Sequence, residues 1–179
     1  MTVDGTSRAT LIARITHLEM NSIPPVRVPI PHGPRLAVMR AREVPLHFYR
    51  YLYEQVGKPH HWLARRNLSD DELGAILHAD HTDLHILYVD GAPAGFFELN
   101  HSQAPRDAEI VYFGIVPDFQ GRGLARFLLS EAIFAAWSRE PERVVISTNT
   151  LDSPRALQLY QRAGFSPYAF SEEAVQPWL

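Results

Sequence analysis

The sequence predicts an α/β domain with a mixed sheet flanked by helices. Three observations carry this. The turn dipeptide Asp90-Gly91 separates apolar runs at 84–89 and 94–99, which makes the middle of the chain a hairpin. The run Glu109-Ile110-Val111-Tyr112-Phe113-Gly114-Ile115-Val116 is almost unbroken in apolar character, as in a strand buried on both faces. From there, helices and strands alternate: a helix at 121–138, a strand at 143–148, a helix from 153 and a last strand at 165–170. A hairpin followed by such alternation gives both antiparallel and parallel neighbours.

The elements follow in order. Residues 1–8 are expected to be disordered. Residues 11–20 fit a helix and a strand equally well. The stretch Pro24-Pro25-Val26-Arg27-Val28-Pro29-Ile30-Pro31-His32-Gly33-Pro34 forbids a helix and reads as an extended connector, either packed over the domain or free. Residues 1–35 are therefore assigned to an N-terminal extension and 36–179 to one domain. Residues 36–40 form a short strand. Pro45 opens a helix through HFYRYLYEQVG that ends at Gly57. Ser69 and Glu72 form a capping box for DELGAILH. Leu124, Leu128, Ala132 and Ala135 fall at helical spacing and form a buried stripe. Ser153 is expected at an N-cap, Pro154 at the first helical position and Gly164 just past the C-terminus.

Composition narrows the function. The formal net charge of -3 gives no electrostatic reason to expect nucleic acid or an acidic membrane surface as partner. With no cysteine, the chain has no disulfide, thiolate metal site or thiol nucleophile. Group transfer must use another nucleophile or pass directly from donor to acceptor. No N-terminal run is apolar enough for a leader or a membrane span, so a cytoplasmic location is expected. His78, Asp80, His81, Asp83 and His85 are dense in metal-ligand types, but their spacing matches no site, and a solvated connector accounts for them. No metal is expected.

The strongest local signal joins the third strand to the helix after it: Val116-Pro117-Asp118-Phe119-Gln120-Gly121-Arg122-Gly123-Leu124-Ala125-Arg126. Pro117 ends the strand ladder because it has no N–H. Gly121 and Gly123 let the backbone approach a ligand closely. The first N–H groups of the helix lack internal partners, and its dipole adds partial positive charge. The result suits a pyrophosphate, with Arg122 and Arg126 adding full charge. A P-loop lacks its lysine here, and a dinucleotide fingerprint would need glycine at Arg126. A glycine loop of purely structural use fits the same residues.

Gln120-x-x-Gly123-x-Ala125 resembles the Q/R-x-x-G-x-G/A signature of the GCN5-related N-acetyltransferase (GNAT) superfamily. Ala108-Glu109-Ile110-Val111 is similar to that family's preceding central strand. Ser153-Pro154-Arg155-Ala156-Leu157-Gln158-Leu159-Tyr160-Gln161-Arg162-Ala163-Gly164-Phe165 is similar to its closing N-x-x-A-x-x-L-Y-x-x-x-G-F. The resemblance spans residues 36–170. It implies a twisted, mostly antiparallel sheet and a transfer of acetyl from acetyl-CoA to a primary amine, by direct attack in a ternary complex. A small molecule or amino acid is the expected acceptor; a protein or peptide N-terminus, or a non-catalytic acyl-CoA-binding module, are the alternatives. A homodimer is compatible with it.

The resemblance also assigns roles. The loop from Gln120 through Gly121, Arg122, Gly123, Leu124 and Ala125 to Arg126 holds the pyrophosphate. Gly114, Ile115 and Val116 bond the pantetheine arm through their backbone, one N–H facing the thioester carbonyl. Glu109 is the general base, although a water chain serves in many relatives and a water-facing glutamate fits equally. Tyr160 protonates the leaving sulfur. Ser153 replaces the family's common asparagine at a cofactor contact, and Asn149 can compensate. The aromatic residues Phe48, Tyr49, Tyr51 and Tyr53 either line an acceptor pocket or pack the helix core. His60 and His61 are expected at the surface.

Overall fold

A computed structural model describes residues 9–178; the disorder expected of residues 1–8 falls outside them. Seven strands form one sheet: β1 (Leu11–Met20), β2 (Leu36–Ala41), β3 (Thr82–Val89), β4 (Ala92–Asn100), β5 (Asp107–Ile115), β6 (Arg143–Asn149) and β7 (Ser166–Val175). Their order is β2-β3-β4-β5-β6-β1-β7. Only β5 and β6 run parallel; every other neighbouring pair is antiparallel. Four helices flank the sheet: α1 (Leu46–Gly57), α2 (Asp70–Leu77), α3 (Leu124–Trp137) and α4 (Ala156–Ala163). The mixed, mostly antiparallel architecture is the one expected.

Residues 11–20 settle as a strand, and a central one. β1 lies between β6 and β7, with His17 opposite both Ser147 and Ala169. Pairing decides the matter: β6 and β7 bond its two edges, and Ala13, Leu18 and Met20 are buried along it. The segment expected to precede the domain therefore supplies a strand of its sheet. The proline connector packs rather than hangs. Val28 N–H donates to Ser130 Oγ on α3 at 2.9 Å, and the Arg27 guanidinium lies 4.6 Å from the Phe134 ring centroid.

Two cores follow from the two sheet faces. One packs α3 and α4 through Leu128, Ala132, Ile133 and Tyr160 against Leu18, Ile110 and Ile146. The other packs α1 and α2 through Tyr49, Leu52, Tyr53, Val56 and Leu73 against Leu84, Ile86 and Phe96. Ser69 makes the expected capping box with Glu72. Asp90 and Gly91 both take positive φ, the backbone a tight two-residue hairpin requires. Gly164 takes φ 113 at the C-cap of α4. The start of α4 differs from expectation. The N-cap is Arg155, two residues later, and Ser153 Oγ only accepts a long 3.4 Å bond from Arg155 N–H. Ser153 and Pro154 form a turn ahead of the helix.

The histidine-rich stretch resolves into structural contacts. His78 Nε2 bonds the Val44 carbonyl at 3.0 Å. Asp83 is buried among Arg40, Arg139 and His101, with Arg139 Nη2 3.1 Å and His101 Nε2 3.0 Å away. That hydrogen bond and those two guanidinium groups hold its carboxyl below the usual range, against the opposing effect of burial.

Candidate functional site

β5 and β6 pair only at Asp107–Arg143 through Ile110–Ile146. Beyond that the strands part. The gap opens a cleft of about 1170 Å³ lined from both sides, by Ile110 to Ile115 on β5 and by Ile146, Ser147 and Asn149 on β6. The parting starts beside a bulge. The β4–β5 register slips between Glu98 and Leu99, leaving Val111 as the extra residue. After it, Tyr112 and Gly114 turn toward α1, and Phe113 and Ile115 toward α3.

The open edge of β5 has a direction. Val116 N–H donates to Ala94 O on the β4 side at 2.8 Å. Alternation then aims the N–H groups of Ile115 and Phe113 into the cleft, where β6 no longer meets them. An extended, amide-bearing ligand fits such an edge. Val116 itself does not line the cleft. Its carbonyl accepts from Phe119 N–H at 2.9 Å and its side chain is in the α1 core, so the N–H groups on the open edge are those of Phe113 and Ile115. Gly114 is a point of close approach, as expected, but the body approaching is Val56 of α1: a Cβ at 114 would collide with its Cγ1.

At one end of the cleft stands the loop. Gly121 and Gly123 both take φ 75, a left-handed conformation that a side chain would strain, and open space lies above each. Gly123 is the N-cap of α3 and no side chain caps the helix. The first N–H groups of this 14-residue helix are therefore free toward the cleft. Gln120, Gly121, Gly123, Leu124, Ala125 and Arg126 line it. Gln120 Nε2 donates back to Ile115 O at 3.2 Å, fixing loop to strand. Arg122 is the exception. It donates to Asp118 O at 3.0 Å, stacks 5.1 Å from the Phe119 ring centroid and is outside the lining. Arg155, for which no role was expected, lines the cleft instead. Asn149 and Ser153 line it too. The Asn149 side chain is engaged locally, its Oδ1 accepting from Leu151 N–H at 2.8 Å.

Tyr160 reaches the cleft from α4, with its ring packed between Phe113 and Phe165 at centroid distances of 6.2 and 6.3 Å. Burial, then the charge of Asp152, pushes its phenol well above the ordinary range, so the proton stays on the oxygen at any working pH. A hydroxyl held this way is a better hydrogen-bond donor to a developing anion than an outright acid.

Glu109 stands one residue beyond the lined part of β5. Its outer face meets water, yet the protein around it still raises its carboxyl, first by desolvation and then through the charge of Glu98. Water at the outer face tempers the first effect. A proton from the cleft needs an intermediary to reach it. As a base it works only when ionised, so turnover should fall as pH drops through its raised pKa. Glu109→Gln is expected to flatten that acidic limb in a pH–rate profile; an unaltered limb would assign the proton to another group.

The acceptor end was the least legible. Tyr53, Trp62 and Tyr112 pack together there, with ring centroids 4.9 to 5.6 Å apart. Of the α1 aromatics, Tyr53 lines the cleft, Tyr49 is core and Tyr51 is exposed. His60 and His61, expected at the surface, line the cleft as well. Beneath the aromatics lies an ion pair. Arg65 Nη2 donates to Glu98 Oε1 at 2.7 Å, and Tyr49 Oη to Glu98 Oε2 at 2.5 Å. Glu98 alternates with apolar residues in β4 and resembles a surface position in sequence; only its pairing with a distant arginine explains its burial.

Taken together, the parted parallel strands, the glycine loop and the uncapped helix form one cleft with a free strand edge along it and a free helix N-terminus at its end. The acetyltransferase (GNAT) family model matches residues 42–165, and the chain belongs to that family. It is similar to an uncharacterised N-acetyltransferase of Methanocaldococcus jannaschii, 28% identical over 109 residues, covering 58% of this chain and 46% of that protein. The match thus spans about half the length of that relative. In fold, the chain is similar to a putative GNAT acetyltransferase of Novosphingobium aromaticivorans, with a TM-score of 0.62, 18% identity and coverage of 93% of this chain and 65% of that one. It is also similar to an aminoglycoside N-acetyltransferase solved in complex with CoA, with a TM-score of 0.56, 21% identity and coverage of 76% and 91%. Among the described residues, no helix is long and apolar enough to cross a membrane.

Proposed function

We infer that this chain transfers acetyl from acetyl-CoA to the primary amine of a small molecule, by direct attack in a ternary complex. The observation that carries this is the parting of β5 from β6 after Ile110 and Ile146, with an uncapped helix at its end. The amide-rich pantetheine arm matches the free edge of β5, and the pyrophosphate matches the α3 N-terminus beside Gly121 and Gly123. Arg126 and Arg155 add positive charge there. When bound, acetyl-CoA supplies an activated thioester carbonyl.

The chain's residues do the rest. The Phe113 and Ile115 N–H groups orient the arm, and one of them serves the carbonyl oxygen as charge develops. Tyr160 keeps its proton and offers it as a hydrogen bond to the departing sulfur. Glu109, through water, takes the proton that the attacking amine releases. The absence of cysteine fits direct transfer, with no covalent thiol intermediate. The aminoglycoside enzyme among the fold neighbours acts on a small molecule by its name, and the same acceptor class is proposed here.

Acetyl-CoA at about a hundred times its Kd should raise Tm by on the order of 5–10 °C for a domain of this size. Thermal unfolding with and without ligand checks this; no shift at millimolar acetyl-CoA removes the acyl donor. Release of free CoA thiol across a library of primary amines then tests turnover and finds the acceptor.

A further inference from the structure

We propose that residues 58–66 and the C-terminal segment 176–178 form a latched roof over the acceptor end of the cleft, with Trp178 as the specificity-determining latch that limits the acceptor to a small free amine. This rests on the acyl-transfer function proposed above. The segment between α1 and α2 lines the cleft and is tied at two places. At the first, His60 Nδ1 donates to the Leu151 carbonyl at 3.2 Å, and Trp62 Nε1 donates to Asp152 Oδ1 at 3.3 Å. Both partners belong to the turn between β6 and α4. At the second, Trp178 N–H donates to His61 Nδ1 at 2.9 Å, and the Arg66 guanidinium lies 4.3 Å from the Trp178 ring centroid.

Residues 176–178 belong to no helix or strand, and Pro177 has no N–H to give. Their place is set by the two contacts to the roof, by the Trp178 ring against the α1 core, and by a 3.3 Å bond from Gln176 Nε2 to Thr10 Oγ1. The walls they join are the cleft's own. Glu173, Ala174, Val175 and Gln176 line one side, and Pro59, His60, His61, Trp62, Leu63 and Ala64 line the other. His61 sits at the junction in a left-handed conformation, φ 57, which strains a residue with a Cβ. Contacts on both sides of it hold that conformation. Gly57 completes the roof. A Cβ there would collide with the Trp62 ring, so the bare helix end lets Trp62 fold back over it.

A roof tied at two places leaves room for a slender amine and obstructs a folded polypeptide. Trp178 acts on the acceptor through His61 and Arg66, so it is a positioning residue. The test uses the full chain, wild type, Trp178→Ala and Trp178→Phe. It follows CoA thiol release against a panel running from small primary amines to bulky ones and a peptide with a free N-terminus. Trp178→Ala is expected to raise KM for the smallest good acceptor about tenfold, the scale of one lost pocket-wall contact. It should also admit bulky amines that the wild type rejects, with KM for acetyl-CoA unmoved. Trp178→Phe should restore the wild-type profile, since the latch bond comes from the backbone and an aromatic ring still meets Arg66. An unchanged acceptor profile in Trp178→Ala overturns the roof, as does a matching rise in both KM values or a wild type that prefers the peptide. Loss of the acetyl-CoA thermal shift in the wild type instead sinks the acyl-donor assignment, so the two failures are distinct.

Discussion

Tyr160→Phe is expected to lower turnover by about 10²-fold, the low end of what a positioned proton-bearing group contributes, and to leave acetyl-CoA affinity unchanged. The reason lies in how the two halves of the side chain are used. The ring packs edge-on to Phe113 and Phe165, and phenylalanine keeps both contacts. The hydroxyl is the only part lost. Tyr160 lines the cleft, burial keeps its proton in place, and the transfer proposed above would release a thiolate there. Steady-state thiol release gives the turnover and calorimetric titration gives the affinity. A loss of affinity equal to the loss of turnover would mean that the hydroxyl binds the ground state. Unaltered turnover would leave the sulfur to water or to another donor.

Local signals carried much of the fold. The hairpin at Asp90-Gly91, the capping box at Ser69 and the glycine closing α4 were legible because each depends on a few adjacent residues. The loop from Gln120 to Arg126 was legible for the same reason: left-handed turns need glycine. β1 was not. Its ten residues carry no turn or cap, and strand or helix was decided only by β6 and β7 arriving on either side from more than a hundred residues away. The glycine-loop end of the cleft belongs to the first kind. Its aromatic end belongs to the second. Trp62 and Arg65, Tyr112, and Trp178 come from three segments, and no spacing between them marks a common purpose. Ser153 shows the limit of cap reasoning: Ser-Pro announces a helix start, but the chain takes a further turn before the ladder begins at Ala156.

Arg65→Ala is expected to cost about 3–5 kcal/mol of stability, the usual consequence of stripping one partner from a buried ion pair. Glu98 is 1% exposed, and the Arg65 guanidinium is its charge partner. Removing it strands a carboxylate in the α1 core with only the Tyr49 hydroxyl left to it. Urea unfolding of the variant should show the midpoint moved well down, with the m-value unchanged. The loss is one of pairing rather than of packing, so Arg65→Met combined with Glu98→Gln should recover most of it. Methionine fills the stem's volume, and glutamine still accepts from Tyr49 without a charge. A double variant as unstable as Arg65→Ala would show that the guanidinium's packing over Tyr112, 5.3 Å from the ring centroid, matters more than its charge. Arg65 is also where the segment over the cleft is pinned to β4, and its own N–H donates to the Tyr53 hydroxyl at 3.2 Å. The ion pair therefore links stability to the shape of the cleft: it anchors the segment that carries His60, His61 and Trp62 to β4.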